Sequence, residues 1–175
     1  LVKVAQTNLG RVWLCVVCDG MGGLAKGELA SATVIRTFEN WFENDFPAML
    51  ERGFDPDELR LQWDNIVLEQ NQKISAYASS QGTRMGTTIT TILIIGCQYY
   101  IMNVGDSRAY MLTDQLYLLT KDQTVVQYQL DMGMITLEEA LVHPQRNVLL
   151  QCVGASEVVT PDFYSAPVVP DTMFV

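Results

Sequence analysis

The stretch that most constrains the fold is the apolar run over residues 12–18, which ends abruptly in Asp19-Gly20-Met21-Gly22-Gly23. A run of that length, bounded by turn residues, predicts a buried strand. Asp19 then stands at the end of a buried strand, where an unpartnered carboxylate is costly. A metal cation would relieve that cost. The glycines let the backbone turn sharply and bring carbonyl oxygens close to an ion or ligand.

Three readings of the stretch compete at this point. In the first, it is a plain strand-to-helix turn with Asp19 as a helix cap. In the second, Gly20-Met21-Gly22-Gly23-Leu24-Ala25 is a dinucleotide loop, since it fits G-x-G-x-x-A after a strand. That reading needs a short helix, a second parallel strand and an acid at its end. Here the helical pattern runs on to about residue 46, and Glu39 and Glu43 fall inside it, which disfavours a nucleotide. In the third, the stretch is a metal site.

Other elements follow from local pattern. Residues 1–6 alternate and pair through a turn at 7–10 with the 12–18 strand. Residues 27–46 place Val34, Ile35, Phe38, Trp41 and Phe42 on one helical face, and Pro47 is expected to limit that helix. Asp55-Pro56-Asp57-Glu58 predicts a helix start, with Asp55 as N-cap and Glu58 placed for a capping box. Leu59, Trp63, Ile66, Ile74 and Tyr77 line that second helix, over 55–77. Strands are expected at 87–95, 99–104, 109–112, 116–119, 148–152 and 158–163. Short helices are expected at 125–132 and after Thr136, which opens a capping box with Glu139. A hairpin, a long helix pair and then antiparallel strands predict an α+β domain over 1–175, with sheets packed on each other and helices outside.

The chain has 175 residues and a net charge of -9. That charge disfavours nucleic acid and anionic membranes as partners. No apolar run is long enough to span a bilayer, and no secretion signal is evident, so a cytoplasmic setting is expected. Cys15 and Cys18 have C-x-x-C spacing, but on a strand they point to opposite faces and cannot readily share zinc. Together with Cys97 and Cys152 they read as reduced, mostly buried thiols.

A second acidic turn, Gly105-Asp106-Ser107-Arg108, follows another apolar strand. Hard divalent ions favour such carboxylate and carbonyl oxygens. Taken alone, Asp106 reads as a turn residue capping its own backbone, with Arg108 beside it.

Several blocks in order carry a resemblance. They are Val17-Cys18-Asp19-Gly20-Met21-Gly22-Gly23, Met85-Gly86-Thr87-Thr88 and Asn103-Val104-Gly105-Asp106-Ser107-Arg108-Ala109-Tyr110. Leu119-Thr120-Lys121-Asp122, Gly133-Met134-Ile135-Thr136 and His143-Pro144-Gln145-Arg146-Asn147-Val148-Leu149 follow. Together they resemble the metal-dependent serine/threonine protein phosphatases of type 2C. Met21 after Asp-Gly points to the bacterial branch. The resemblance implies two antiparallel β-sheets packed face to face and flanked by antiparallel helix pairs. It implies hydrolysis of phosphoserine and phosphothreonine by a metal-activated water, with two Mn²⁺ or Mg²⁺ ions. Asp19 would bridge the ions and the Gly20 carbonyl would bind one. Asp106 matches the acid linked to a third, weaker metal. Residues 133–147 would form a mobile flap. Met21, Gly22, His143 and Arg146 lie on the substrate and flap side by this resemblance. His143, before Pro144, reads from the sequence as the end of a short helix.

The departures are also informative. Gln123 follows Asp122 where the family has Asp-His. The family's Asn-Glu-Asp or Asn-Gln-Asp block and a phosphate-binding Arg would precede Leu1, and its Cys-Ser-Asp-Gly block and Asp-Asn pair would follow Val175. The expectation is a phosphatase domain cut at both ends, with an incomplete metal set and open sheet edges that allow self-association. Its partners would be phosphorylated proteins, including targets of a Ser/Thr kinase. The rival expectation is a non-catalytic type-2C-like interaction module.

Overall fold

The computed structural model describes the backbone of residues 1–175 and every side chain except those of Leu24 and Ala25. The chain opens with β1 (Val2–Thr7), β2 (Gly10–Val17) and the two-residue β3 (Gly20–Met21). Helix α1 (Leu24–Asn40) runs into a π-helical turn (Trp41–Asp45) and then α2 (Phe46–Arg52) and α3 (Pro56–Ser80). Next come β4 (Gly86–Thr87), β5 (Ile89–Ile95), β6 (Gln98–Val104), β7 (Tyr110–Leu112) and β8 (Leu116–Leu118). Helices α4 (Val125–Asp131) and α5 (Leu137–Val142) precede β9 (Asp162–Pro167) and β10 (Met173–Phe174).

A five-stranded antiparallel sheet, in the order β1-β2-β5-β6-β9, is the centre of the molecule. Side chains alternate across a strand, and here the alternation divides two apolar layers. Val12, Leu14, Val16, Leu93, Tyr100 and Met102 face the helices and meet Phe38, Trp41 and Trp63. Cys15, Ile92, Ile94, Tyr99 and Ile101 face the other way and meet Ala109, Met111, Leu119 and Phe174. That second layer joins the central sheet to a smaller sheet ordered β10-β7-β8. The fold is therefore α+β, with two antiparallel sheets face to face and helices covering one side.

Trp63 is fully buried and is the hub of the helical layer. Its ring meets Phe38, Trp41 and Phe163 edge-on, at centroid distances of 6.1, 5.7 and 6.0 Å. Burying one such side chain contributes about 1.5–3 kcal/mol. Helices α1 and α3 run antiparallel. The end of α1 is tied to the start of α3 by a bond from Trp41 Nε1 to Gln62 Oε1 (2.6 Å), and Leu29 and Thr33 line a cavity with Ile74 and Tyr77.

Several expectations change here. Pro47 does not end the first helix. The amide N–H of Phe46 bonds to the Trp41 carbonyl across the wide turn, and Pro47 sits in the first turn of α2, where no N–H is required. Asp55 caps α3 by accepting from the Asp57 N–H (3.0 Å), but Glu58 makes no capping box, because its carboxylate takes Arg52 and Gln62 instead. Tyr77 is 49% exposed rather than core. The 87–95 strand breaks at Thr88, so that β4 leaves the central sheet and pairs with β3. Residues 148–152 form no strand, because their backbone bonds go to the first residue of α4 and the loop before it (Val125 N–H to the Val148 carbonyl, Leu150 N–H to the Gln123 carbonyl). The expected 158–163 strand lies later, as β9. Of the four thiols only Cys152 is buried; Cys15 and Cys18 are half-buried in opposite layers, and Cys97 is exposed.

Candidate active site

The end of β2 and the break after β4 are laced together through Asp19. Its N–H donates to Thr88 Oγ1 (3.0 Å), and its carbonyl accepts from the Thr88 N–H (2.9 Å) and from Thr87 Oγ1 (3.1 Å). The fold thus grips the backbone of Asp19 and leaves its carboxylate at the exposed surface. The carboxylate is not buried, contrary to expectation, because the apolar alternation of β2 ends at Val16 and Val17 is already 60% exposed. Nor does Asp19 cap a helix. Gly23 occupies the N-cap of α1, with no side-chain cap.

The glycines have a steric role. A Cβ on Gly20 would lie 2.0 Å from the Gly27 carbonyl oxygen, and one on Gly27 would lie 2.5 Å from the Gly20 oxygen. Strand β3 is therefore pressed backbone to backbone against the first turns of α1. That contact and the all-antiparallel central sheet exclude the dinucleotide reading, which needs parallel strands.

The second acidic turn lies against the first. Thr88 Oγ1, already holding the Asp19 N–H, is 2.7 Å from Ser107 Oγ, and Thr90 Oγ1 donates to the Ser107 carbonyl (3.0 Å). Burial raises the Asp106 carboxyl above its ordinary range, and the negative charges of Asp122 and Asp19 push it the same way. Asp122 itself is held by two bonds from Arg108 (2.8 and 2.7 Å). Asp19 and Asp106 are hard oxygen donors in one negative field, and they suit a divalent cation as part of its shell. Among the described residues, no three His, Cys, Asp or Glu side chains converge closely enough to enclose one.

Met21 is 43% exposed and lines a cavity of about 330 Å³ with Asn147, Val148 and Cys152. Gly22 is exposed beside it. His143 ends α5, and its Nδ1 accepts from the Gln145 N–H (3.2 Å). Arg146 is exposed, with its N–H on the His143 carbonyl (3.1 Å). Among the described residues no hydrogen bond or ion pair joins His143 or Arg146 to Asp19 or Asp106. Thr87 and Thr88 escaped the residue-by-residue reading. Their signals were the Gly-Thr-Thr step that opens a β-branched run and their place in the Met85-Gly86-Thr87-Thr88 block of the resemblance, neither of which gave them a role.

The sequence pattern of protein phosphatase 2C matches residues 3–156. The chain belongs to the protein phosphatase 2C family. It is 38% identical over 148 residues to the serine/threonine protein phosphatase PstP of Mycobacterium tuberculosis, a match covering 83% of this chain and 27% of that protein. The chain thus spans about a quarter of the length of this curated relative. A solved serine/threonine phosphatase of S. agalactiae superposes with a TM-score of 0.86 at 29% identity, covering 99% of this chain and 70% of that one. A solved catalytic domain of PstP in complex with two manganese ions superposes with a TM-score of 0.70 at 30% identity, covering 99% and 68%. These phosphatases agree with the α+β sandwich and with a bacterial member of the family. No helix among the described residues is long and apolar enough to cross a membrane.

Proposed function

We propose that this chain carries the core of a serine/threonine protein phosphatase, hydrolysing phosphoserine and phosphothreonine esters at the Asp19 and Asp106 turns with Mn²⁺ or Mg²⁺. The observation that carries this reading is Thr88, whose hydroxyl holds the Asp19 turn on one side and the Asp106-Ser107 turn on the other. A divalent ion bound there supplies an activated water and neutralises phosphoryl charge. The residues' own work is to place donors: Asp19 offers its carboxylate, Gly20 its carbonyl, and Asp106 an outlying acid. Residues 133–147 act as the flap, with Met21, Gly22, His143 and Arg146 on the substrate side. Leu137, Leu141 and Val142 are 74%, 77% and 78% exposed on it, an apolar surface suited to a protein substrate. Such substrates include products of a Ser/Thr kinase acting in the cytoplasm.

The donor set on these residues is small, and we propose that Mn²⁺ binding is correspondingly weak. One exposed carboxylate, one carbonyl and a neighbouring acid give less charge than two divalent ions need to offset their repulsion. The test is hydrolysis of p-nitrophenyl phosphate and of a phosphothreonine peptide, with millimolar Mn²⁺ against a chelated control. Slow, Mn²⁺-dependent turnover that Asp19→Ala abolishes is expected. Turnover indifferent to chelation, or unchanged in Asp19→Ala, overturns the reading.

A second reading, a non-catalytic type-2C-like interaction module, rests on the Arg108 clamp on Asp122, which engages that acid in an ion pair beside the two turns. Peptide binding without turnover at saturating Mn²⁺ would support it. In either case β1 is an edge strand, with Val2 and Val4 68% and 54% exposed. We propose self-association through it, which sedimentation at rising concentration tests.

A further inference from the structure

We propose that Gln123 is the positioning residue that sets Asp106 against Asp19. The inference rests on reading Asp106 as a metal-associated acid. Gln123 is 8% exposed and grips Gly105 at both backbone groups. Its N–H donates to the Gly105 carbonyl (2.9 Å), and its Oε1 accepts from the Gly105 N–H (2.9 Å). Its Nε2 donates to Asp162 Oδ2 (2.9 Å) at the start of β9, and its carbonyl accepts from the Leu150 N–H (2.8 Å) just past the flap. The partners fix the amide's orientation, since Gly105 N–H can only donate and the Asp162 carboxylate can only accept.

Gly105 has no slack on its other side. Its φ is 103°, and a Cβ there would lie 2.6 Å from Thr88 Cγ2. The residue before Asp106 is therefore held between Thr88, which also carries Asp19, and Gln123, which reaches β9 and the flap's anchor. A neutral side chain of this length that accepts at one atom and donates at the other meets both demands. A carboxylate at 123 would still suit Gly105 but would face Asp162 with like charge.

The test uses backbone amide NMR of the 175-residue chain, with Mn²⁺ as the paramagnetic probe. In the unsubstituted protein Mn²⁺ should broaden the amides of both Gly20 and Asp106. Gln123→Glu should speed Gly105 amide exchange about tenfold, because repulsion from Asp162 draws the side chain off the Gly105 N–H and costs roughly one hydrogen bond. It should also raise several-fold the Mn²⁺ needed to broaden Asp106, and leave Gly20 unchanged. Adding Asp162→Asn, which supplies an amide donor to the new carboxylate, should return both readouts. Asp106 broadening that Gln123→Glu leaves intact overturns the positioning role alone. So does equal loss at Gly20 and Asp106, or a double substitution that fails to recover. An unsubstituted protein with no Mn²⁺ effect at either amide overturns the metal reading, and this role with it.

Discussion

Thr88 Oγ1 lies 2.7 Å from Ser107 Oγ while accepting the Asp19 N–H, so one buried hydroxyl spans two acidic turns 87 residues apart in sequence (Asp19 and Asp106, 106 minus 19). Thr88→Val keeps the methyl beside Gly105 and removes only the bridge. Losing it should cost about 1–3 kcal/mol, because the Asp19 N–H and the Ser107 hydroxyl lose a partner. Urea unfolding should show a lower midpoint with an unchanged slope, and Mn²⁺-dependent hydrolysis should fall with it.

Gly27→Ala tests the backbone contact behind the site. The added methyl would sit 2.5 Å from the Gly20 oxygen, and backbone can yield only by moving β3 off α1. Overpacking of this kind typically costs about 1–3 kcal/mol. Thermal melting should show the loss, and Mn²⁺ affinity should drop because the Gly20 carbonyl is displaced.

The thiols should separate by environment. Burial pushes Cys18 from its ordinary 9.0 up to about 12, whereas Cys97 is exposed. Alkylation at neutral pH should modify Cys97 quickly and Cys18 only on unfolding. The linkage has a definite sign. Above pH 9 the unfolded chain releases the Cys18 proton and the folded one retains it, so stability is full below pH 9 and declines as pH rises from 9 towards 12. Cys18→Ser should flatten that decline in denaturation curves measured across the window.

Hydrogen exchange should rank residues 133–147 as the least protected folded segment and β5 as the most. Helix α5 is six residues long and buries only Ala140, whereas β5 is hydrogen-bonded on both sides and almost wholly buried. Equal protection in the two segments would remove the basis for a flap.

Much of this architecture was legible because it rests on local composition and pattern. The apolar run of β2, the β-branched run of β5, the Asp55 cap and the Thr136 capping box each depend on neighbours in sequence, and each stands in the structure. The Asp19 and Asp106 turns were legible as acids at strand ends, and their adjacency followed only from the family resemblance. What escaped depends on distant partners. Thr88 breaks its strand because Asp19 draws it aside, and Gln123 matters because Gly105 and Asp162 flank it. Residues 148–152 have strand-like composition, but their hydrogen bonds go to the first residue of α4 and the loop before it rather than to a neighbouring strand.

The wide turn at Trp41–Asp45 has a consequence for how this region tolerates changes in length. It accommodates one residue more than a regular helix would, and each helical residue rotates the chain by about 100°. Deleting a single residue between Asn40 and Phe46 would let the turn close into ordinary α-helix. Everything beyond would keep its phase with α1, so Phe46 and Met49, both buried, would still face the core. Pro47 would then lie in a helix interior and clash with the carbonyl four residues before it. The surplus residue and the proline are thus coupled in one direction: the single-residue deletion should be tolerated only in a variant that also replaces Pro47.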